Sequence, residues 1–236
     1  MDRLQIVLLV VLGIPLTGGI GTDSPGIDTV VATGESSQRD APSADKQWFC
    51  FRGDQALQGV ADVDLPDRLT LKWTFKTGAP IKSSAVIADG KVLIGSDDGH
   101  VYAVDAATGQ QIWIYKTGQL GEEFMEDPGP VEAPPLVLGS VVYVGGDDAF
   151  FHALDVHTGE LKWRFAAEDR IVGSANWATA PDGQRHLIFF GSYDNRLYCL
   201  DAVTGGLQWT YQSDYYINGA PAIADGKIVF GGCDEI

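Results

Sequence analysis

The chain is short of cysteine and of positive charge. Only 3 of its 236 residues are cysteine (Cys50, Cys199 and Cys233), with no C-x-x-C and no adjacent pair, so neither a zinc ribbon nor a disulfide framework is signalled. Cys199 falls where two other repeats hold Ala103 and Ala153, which reads as a small buried residue. Against 32 Asp and Glu stand 16 Lys and Arg, a net charge of -16 and a pI near 4.4. Such a surface repels phosphate backbones and removes nucleic acid from the expected partners. The four histidines, His100, His152, His157 and His186, are dispersed without H-x-x-x-H spacing, and no nucleophile elbow, P-loop or dinucleotide fingerprint appears. What is present is apolar bulk: 45% hydrophobic and 10% aromatic residues, enough for a packed body and too much for wholesale disorder.

The first 47 residues stand apart. MDRLQIVLLVVLGIPLTGG places Arg3 before an apolar stretch over 6–16 and small residues after it, the order of an export signal or N-terminal anchor over 1–21. The stretch is shorter than the ~20 residues of a bilayer-spanning helix. Asp2 offsets Arg3, no A-x-A cleavage site stands out, and the alternative is a buried strand. No Cys follows it to carry a lipid. Residues 22–47, rich in Ser, Gly, Asp and Pro, read as a flexible linker. Export to the periplasm or another extracytoplasmic space, with membrane proximity through this segment, is the expectation.

From residue 48 the chain repeats itself. DAATGQQIW, DVHTGELKW and DAVTGGLQW begin at Asp105, Asp155 and Asp201, 50 and 46 residues apart; GSDDG, GGDDA, GSYDN and GGCDE recur at intervals of 50, 46 and 40. A period near 40 to 50 residues points to propeller blades. Each unit holds four short strand-like runs separated by turn residues such as Asp89-Gly90 and Thr108-Gly109, a meander of antiparallel strands. Val101, Phe151 and Leu197 alternate with Tyr102, His152 and Tyr198, so both faces carry apolar or aromatic bulk, as stacked blades require. Asp and Thr at 105 and 108, 155 and 158, and 201 and 204 are turn formers. Gly109, Gly159 and Gly205 supply a left-handed residue, and Trp113, Trp163 and Trp209 bring large area with one N–H to satisfy.

The pattern D-x-x-T-G-x-x-x-W, preceded by G-[SG]-x-D-x, resembles the PQQ-like β-propeller repeat family, which includes BamB-like and quinoprotein-like propellers, over 71–236. The opening WFCFRGDQALQG at Trp48 is similar to the leader of exported members. The resemblance implies an all-β propeller of four-stranded antiparallel blades over 48–236, in which the Asp and Thr cap a turn and the tryptophan docks between blades. It also implies that Trp73, in LTLKWTFKTG, lies on a closing strand that completes the last blade of the ring.

Counted this way, the chain supplies that closing strand and about three and a half blades, where family members resemble seven- or eight-bladed rings. An incomplete propeller with exposed ends, prone to pairing with a complementing chain, is expected; a four-bladed closure using residues 71–76 is the alternative. The literal Arg52-Gly53-Asp54 lies inside the leader and reads as coincidence. Asp97-Asp98 and Asp147-Asp148 recur at hairpins and read as turn residues. Glu122, Glu123, Glu126 and Asp127 crowd the loop over 121–135 without EF-hand spacing, which makes that loop the candidate partner contact. No catalytic or metal residue is assigned and no cofactor is evident: the Cys-Cys pair and calcium ligands of quinoprotein dehydrogenases are not matched, which leaves room for PQQ and calcium only in a complete protein. The reading is an exported binding or scaffold module resembling BamB-type assembly factors. Its rivals are a PQQ-dependent dehydrogenase fragment, the sensor domain of a membrane kinase and a polysaccharide-associated binding protein.

Overall fold

Each repeat turns where its sequence offers residues that accept positive φ. Asp89-Gly90 and Asp225-Gly226 both do so (φ 49 and 68, 50 and 68), the geometry that lets a two-residue hairpin follow the strand twist. In the computed structural model, residues 47–61, 70–118 and 127–232 are described, with the backbone of Leu9–Leu12, Gln119–Leu120 and Glu123–Phe124. The linker read over 22–47 lies outside the described residues except for Gln47, as does the N-terminal segment except for its four-residue strand.

The strands follow in chain order: β1 (Leu9–Leu12), β2 (Val86–Ala88), β3 (Lys91–Ser96), β4 (His100–Asp105), β5 (Gln111–Lys116), β6 (Gln119–Leu120), β7 (Glu123–Phe124), β8 (Leu136–Leu138) and β9 (Val141–Gly145). They continue as β10 (Phe150–Asp155), β11 (Leu161–Ala166), β12 (Asn176–Thr179), β13 (His186–Gly191), β14 (Arg196–Asp201), β15 (Leu207–Gln212), β16 (Ala222–Ala224) and β17 (Lys227–Gly231). No helix occurs among the described residues. β2 to β5, β8 to β11 and β12 to β15 are three antiparallel four-stranded sheets, blades 1, 2 and 3; a fourth sheet has the order β1-β17-β16, and β6-β7 is a separate hairpin. In every blade the register between the third and fourth strands slips at one place, after Ala103, Ala153 or Cys199, immediately ahead of the D-x-x-T-G turn. A bulge there adds twist and re-aims the outer strand.

The core lies between sheets. Leu93, Val101 and Ala103 of blade 1 pack with Val142, Val144 and Leu154 of blade 2. Tyr143 and Phe151 of blade 2 pack with Ile188, Phe190 and Tyr198 of blade 3, where Phe151 and Phe190 stack with ring centroids 4.1 Å apart. Leu187, Leu197 and Cys199 pack with Ile228 and Phe230 of β17. Thus β10 feeds one core with Leu154 and the next with Phe151 and Ala153, which explains the apolar residues on both of its faces. The result is an incomplete all-β propeller whose sheets do not close: no pairing joins blade 1 to the fourth sheet among the described residues. The four-bladed closure is not adopted. Residues 71–76, read as a closing strand, are described but form no ladder with any strand.

Candidate functional site: blade joints, leader strap and acidic loop

The D-x-x-T-G turn is built on one carboxylate oxygen. Asp105 Oδ1 accepts the Ala107 N–H (3.0 Å), the Thr108 N–H (2.7 Å) and the Thr108 hydroxyl (2.8 Å). Asp201 repeats the triple contact with Val203 and Thr204, and Asp155 accepts from the backbone of His157 and Thr158. The bonds leave a mark on acidity: Lys162, then the His157 N–H, hold the Asp155 carboxyl down at about 2. Gly109, Gly159 and Gly205 close the turns at φ 76, 74 and 70.

Over each glycine sits a tryptophan from the unit before. A Cβ on Gly109, Gly159 or Gly205 would fall 2.6, 2.7 or 2.6 Å from the rings of Trp73, Trp113 and Trp163. Their indole N–H groups donate to Ala106 O (3.1 Å), Val156 O (3.0 Å) and Ala202 O (3.2 Å). Trp209 packs instead toward Ile228 and Phe230 of the fourth sheet, where no such turn is described. A second contact runs the other way: Ile171 and Ile217 press onto Gly145 and Gly191, where a Cβ would meet their side chains at 2.2 Å, and Val131 does the same at Gly95.

The third contact is polar, and it goes beyond the turn role expected of Asp98 and Asp148. Asp98 and Asp148 are turn residues, their Oδ1 atoms accepting the His100 and Phe150 N–H groups at 3.1 Å, but each also reaches its neighbouring unit. Asp98 Oδ2 accepts the Tyr102 hydroxyl (2.7 Å) and the Gly78 N–H (2.7 Å). Asp194 Oδ2 accepts the Tyr198 hydroxyl (2.5 Å) and the Glu168 N–H (3.0 Å). In blade 2 a histidine replaces the tyrosine: His152 Nε2 lies 2.9 Å from Asp148 Oδ2, which also accepts the Gly118 N–H at 2.7 Å, and Nδ1 lies 3.1 Å from the Tyr115 hydroxyl of blade 1. With Asp148 ionised, Nε2 is the donor and Nδ1 accepts from Tyr115. Burial pushes the Asp148 carboxyl up, but His152 and the two N–H donors outweigh it and hold the group below 3.8. Burial, then Asp98, pushes the Tyr102 hydroxyl up to about 12. The signal was in the sequence as D-x-x-x-Y or D-x-x-x-H.

The leader is a strap across the first strand of each of the three blades and of the fourth sheet. Trp48 exchanges two backbone hydrogen bonds with Ile87 of β2, at 2.8 and 2.9 Å, and Phe49 O accepts from Val137 of β8 at 2.7 Å. Gln55 O accepts from Asn176 Nδ2 of β12 and from the Ile223 N–H of β16, both at 2.7 Å, while its side chain donates to Trp177 O at 3.0 Å. Cys50 is buried in the core between blades 2 and 3. Arg52 and Gly53 have φ 59 and 86, and Gly53 lies under the Trp48 ring, so the R-G-D letters spell a structural turn. An open, largely apolar cleft lined by Phe49, Ala88, Val137, Leu138 and Trp177 flanks the strap.

The acidic loop belongs to the longest connection between blades, 19 residues from β5 to β8 against 9 in each of the next two. It carries the β6-β7 hairpin, with Gln119 opposite Phe124 and Leu120 opposite Glu123. Glu122 and Glu126 lie outside the described residues; Asp127 is exposed and caps the Gly129 N–H at 3.0 Å. Among the described residues no group of three His, Cys, Asp or Glu is arranged to hold a metal ion, and no helix is long and apolar enough to cross a membrane.

The family described as the outer membrane protein assembly factor BamB matches residues 58–180 and 166–235. Among solved structures the chain is similar to BamB from Moraxella catarrhalis, with 24% identity and a TM-score of 0.54 over 68% of this chain and 46% of that one. It is also similar to a quinohemoprotein alcohol dehydrogenase from Comamonas testosteroni (21%, TM-score 0.57, 70% of this chain and 27% of that one). A europium-containing methanol dehydrogenase resembles it to the same degree (19%, TM-score 0.57, 73% and 32%). These likenesses share the fold, and the chain spans less than half the length of each. A search of curated proteins gives no match.

Proposed function

We propose, for a chain that belongs to the BamB family of PQQ-like β-propellers, that it is an exported scaffold which binds a protein partner through loops at the blade edges and performs no catalysis of its own. The observation that carries the reading is the acidic connection between blades 1 and 2, a hairpin-bearing insertion fixed at both ends to rigid sheets. Loops held by a rigid frame are where propellers place recognition. The described carboxylates and tryptophans support this division of labour. Asp98, Asp148 and Asp194 are spent on hydrogen bonds between units, and the D-x-x-T-G turns with Trp73, Trp113 and Trp163 act as blade docking points.

The matched family is named for outer-membrane protein assembly, so the partner class is an unfolded or assembling outer-membrane protein, met in the periplasm. This reading gives PQQ and calcium no part in the binding. Binding of the purified chain to an outer-membrane β-barrel protein diluted from urea tests the reading. Saturable binding is expected, weakened tenfold or more when Glu122, Glu123, Glu126 and Asp127 are changed together to lysine. Absence of binding, or saturable PQQ uptake with Ca²⁺ and dye-linked alcohol oxidation, would overturn it.

A further inference from the structure

The chain has three asparagines, Asn176, Asn195 and Asn218, and they differ in what protects the side-chain amide. An asparagine amide is attacked by the backbone nitrogen of the next residue, so it lasts where that N–H is held in a hydrogen bond or crowded by a side chain. Asn176 is fully buried, its Nδ2 donates to Gln55 O (2.7 Å) and Pro221 O (2.8 Å), and its Oδ1 accepts the N–H of Trp177 (2.9 Å). After Asn195 the next N–H, that of Arg196, donates to Asp194 Oδ1 at 3.0 Å. In both cases the nucleophile is engaged.

Asn218 has neither protection. It is exposed, in the connection between β15 and β16, and among the described residues neither its amide nor the Gly219 N–H makes a hydrogen bond. The residue that follows is glycine, which puts no side chain in the path of the attack. The fold does not demand a glycine there: its φ is not left-handed, and an added Cβ would meet Gly231 O at an ordinary 3.5 Å. Nor does it demand an asparagine, since Lys82, Glu132 and Val172 stand at the equivalent places after Ile81, Val131 and Ile171. The pair is nevertheless fixed at both ends. The Ile217 N–H donates to Ser192 O at 3.0 Å and the Ile217 side chain presses onto Gly191, while Pro221 O holds Asn176.

We propose that Asn218-Gly219 is a site of self-modification, at which the chain converts its own amide with water as the only co-reactant. The Gly219 nitrogen, having given its proton to solvent base, bonds to Cγ of Asn218; the Cγ–Nδ2 bond breaks and ammonia leaves, giving a cyclic imide. Water then opens the ring. Cleavage of the new N–Cγ bond leaves aspartate at position 218, whereas cleavage of the original peptide C–N bond leaves isoaspartate, with the main chain running through Cβ. Aspartate adds a carboxylate to a chain whose net charge is already -16. Isoaspartate lengthens the backbone between the anchored Ile217 and Pro221, and so works Ile217 off its glycine at the joint between blade 3 and the fourth sheet.

The test holds the full chain at pH 8 for days, in native buffer and in urea. Peptide mass spectrometry follows amide-to-acid conversion, and isoaspartyl methyltransferase with a labelled methyl donor reports isoaspartate. Native Asn218 is expected to convert at a rate within about tenfold of that in urea and at least about tenfold faster than Asn176 or Asn195, because its segment is held by few backbone hydrogen bonds. Slower conversion than this in the native chain, or equal conversion at Asn195, overturns the proposal. Gly219→Ala, whose Cβ fits, is expected to leave the circular dichroism spectrum unchanged and to slow conversion about tenfold or more. An unchanged rate overturns the cyclic route. Aged chains are expected to lose hydrogen-exchange protection at the Ile217 amide while Asn218→Asp chains keep it; loss in both, or in neither, overturns the isoaspartate step.

Discussion

Trp113 and Gly159 touch so closely that a Cβ on the glycine would fall 2.7 Å from the indole carbons. The glycine answers two demands at once, a left-handed φ of 74 and a bare surface for the ring. Gly159→Ala is therefore expected to cost about 2–4 kcal/mol, the sum of the left-handed penalty and an overpacked contact. Gly90→Ala separates the two, because Gly90 has φ 68 and nothing within 4 Å of its added Cβ. That change should cost only about 1–2 kcal/mol in the same urea titration. Equal losses at both sites would mean that the tryptophan contact contributes nothing.

Asp148 gives the joint between blades 1 and 2 its pH dependence. Its carboxylate serves His152 and the Gly118 and Phe150 N–H groups, and an amide would turn a donor toward one of these sets. Asp148→Asn is expected to cost about 2–3 kcal/mol at neutral pH. A carboxyl held lower in the folded chain than in the unfolded one binds fewer protons when folded. Its stabilisation is complete above the ordinary 3.8 and is lost as pH falls through the folded value. Asp155 acts likewise between 3.8 and about 2. The wild-type melting temperature should thus drop steeply below pH 4, and the Asn variant should show a flatter profile. Parallel profiles for the two proteins would exclude Asp148 as a contributor.

What the sequence displayed and what it hid follow from the range of each interaction. The turn at Asp105, Thr108 and Gly109 is legible because its hydrogen bonds span 2 to 4 residues, and the strand runs are legible because both faces are buried. The spacing from Asp98 to Tyr102 was equally visible, but its meaning depends on Gly78, 20 residues away on the other side of a joint. His152 occupies a tyrosine position in the repeat, and only the packing of two blades brings Tyr115 to its second nitrogen. Residues 71–76 carry a strand pattern, but a ladder needs a partner strand, and sequence pattern alone supplies none. The leader was recognisable as a header, whereas its partners lie 39 to 168 residues further on.

Thiol chemistry offers a check on the packing of the leader and of blade 3. Burial, then Asp54, pushes the Cys50 thiol up to about 12, and burial does the same to Cys199. Since the thiolate is the reactive form, neither residue should react with an aromatic disulfide reagent at pH 8 in the native protein. Both should react within minutes in guanidinium, with mass spectrometry of peptides assigning the sites. Rapid native labelling of Cys50 alone would show that the leader detaches from the sheets.

The leader should also behave as one unit, because its turn is anchored at a single point. Gly53 has φ 86, and a Cβ there would fall 2.7 Å from the Trp48 ring, so Gly53→Val cannot keep the turn closed. Three amides in three different sheets depend on the leader for acceptors: Ile87 on Trp48, Val137 on Phe49 and Ile223 on Gln55. In the wild-type chain all three should be protected from hydrogen exchange, despite lying on the first strand of each sheet, where an edge would otherwise face solvent. In Gly53→Val all three should exchange faster together, by at least tenfold, while Leu93 and Phe189 inside the sheets keep their protection. If only the Ile87 amide near Trp48 responds, the strap is a set of independent contacts and the four sheets are held together by their blade joints alone.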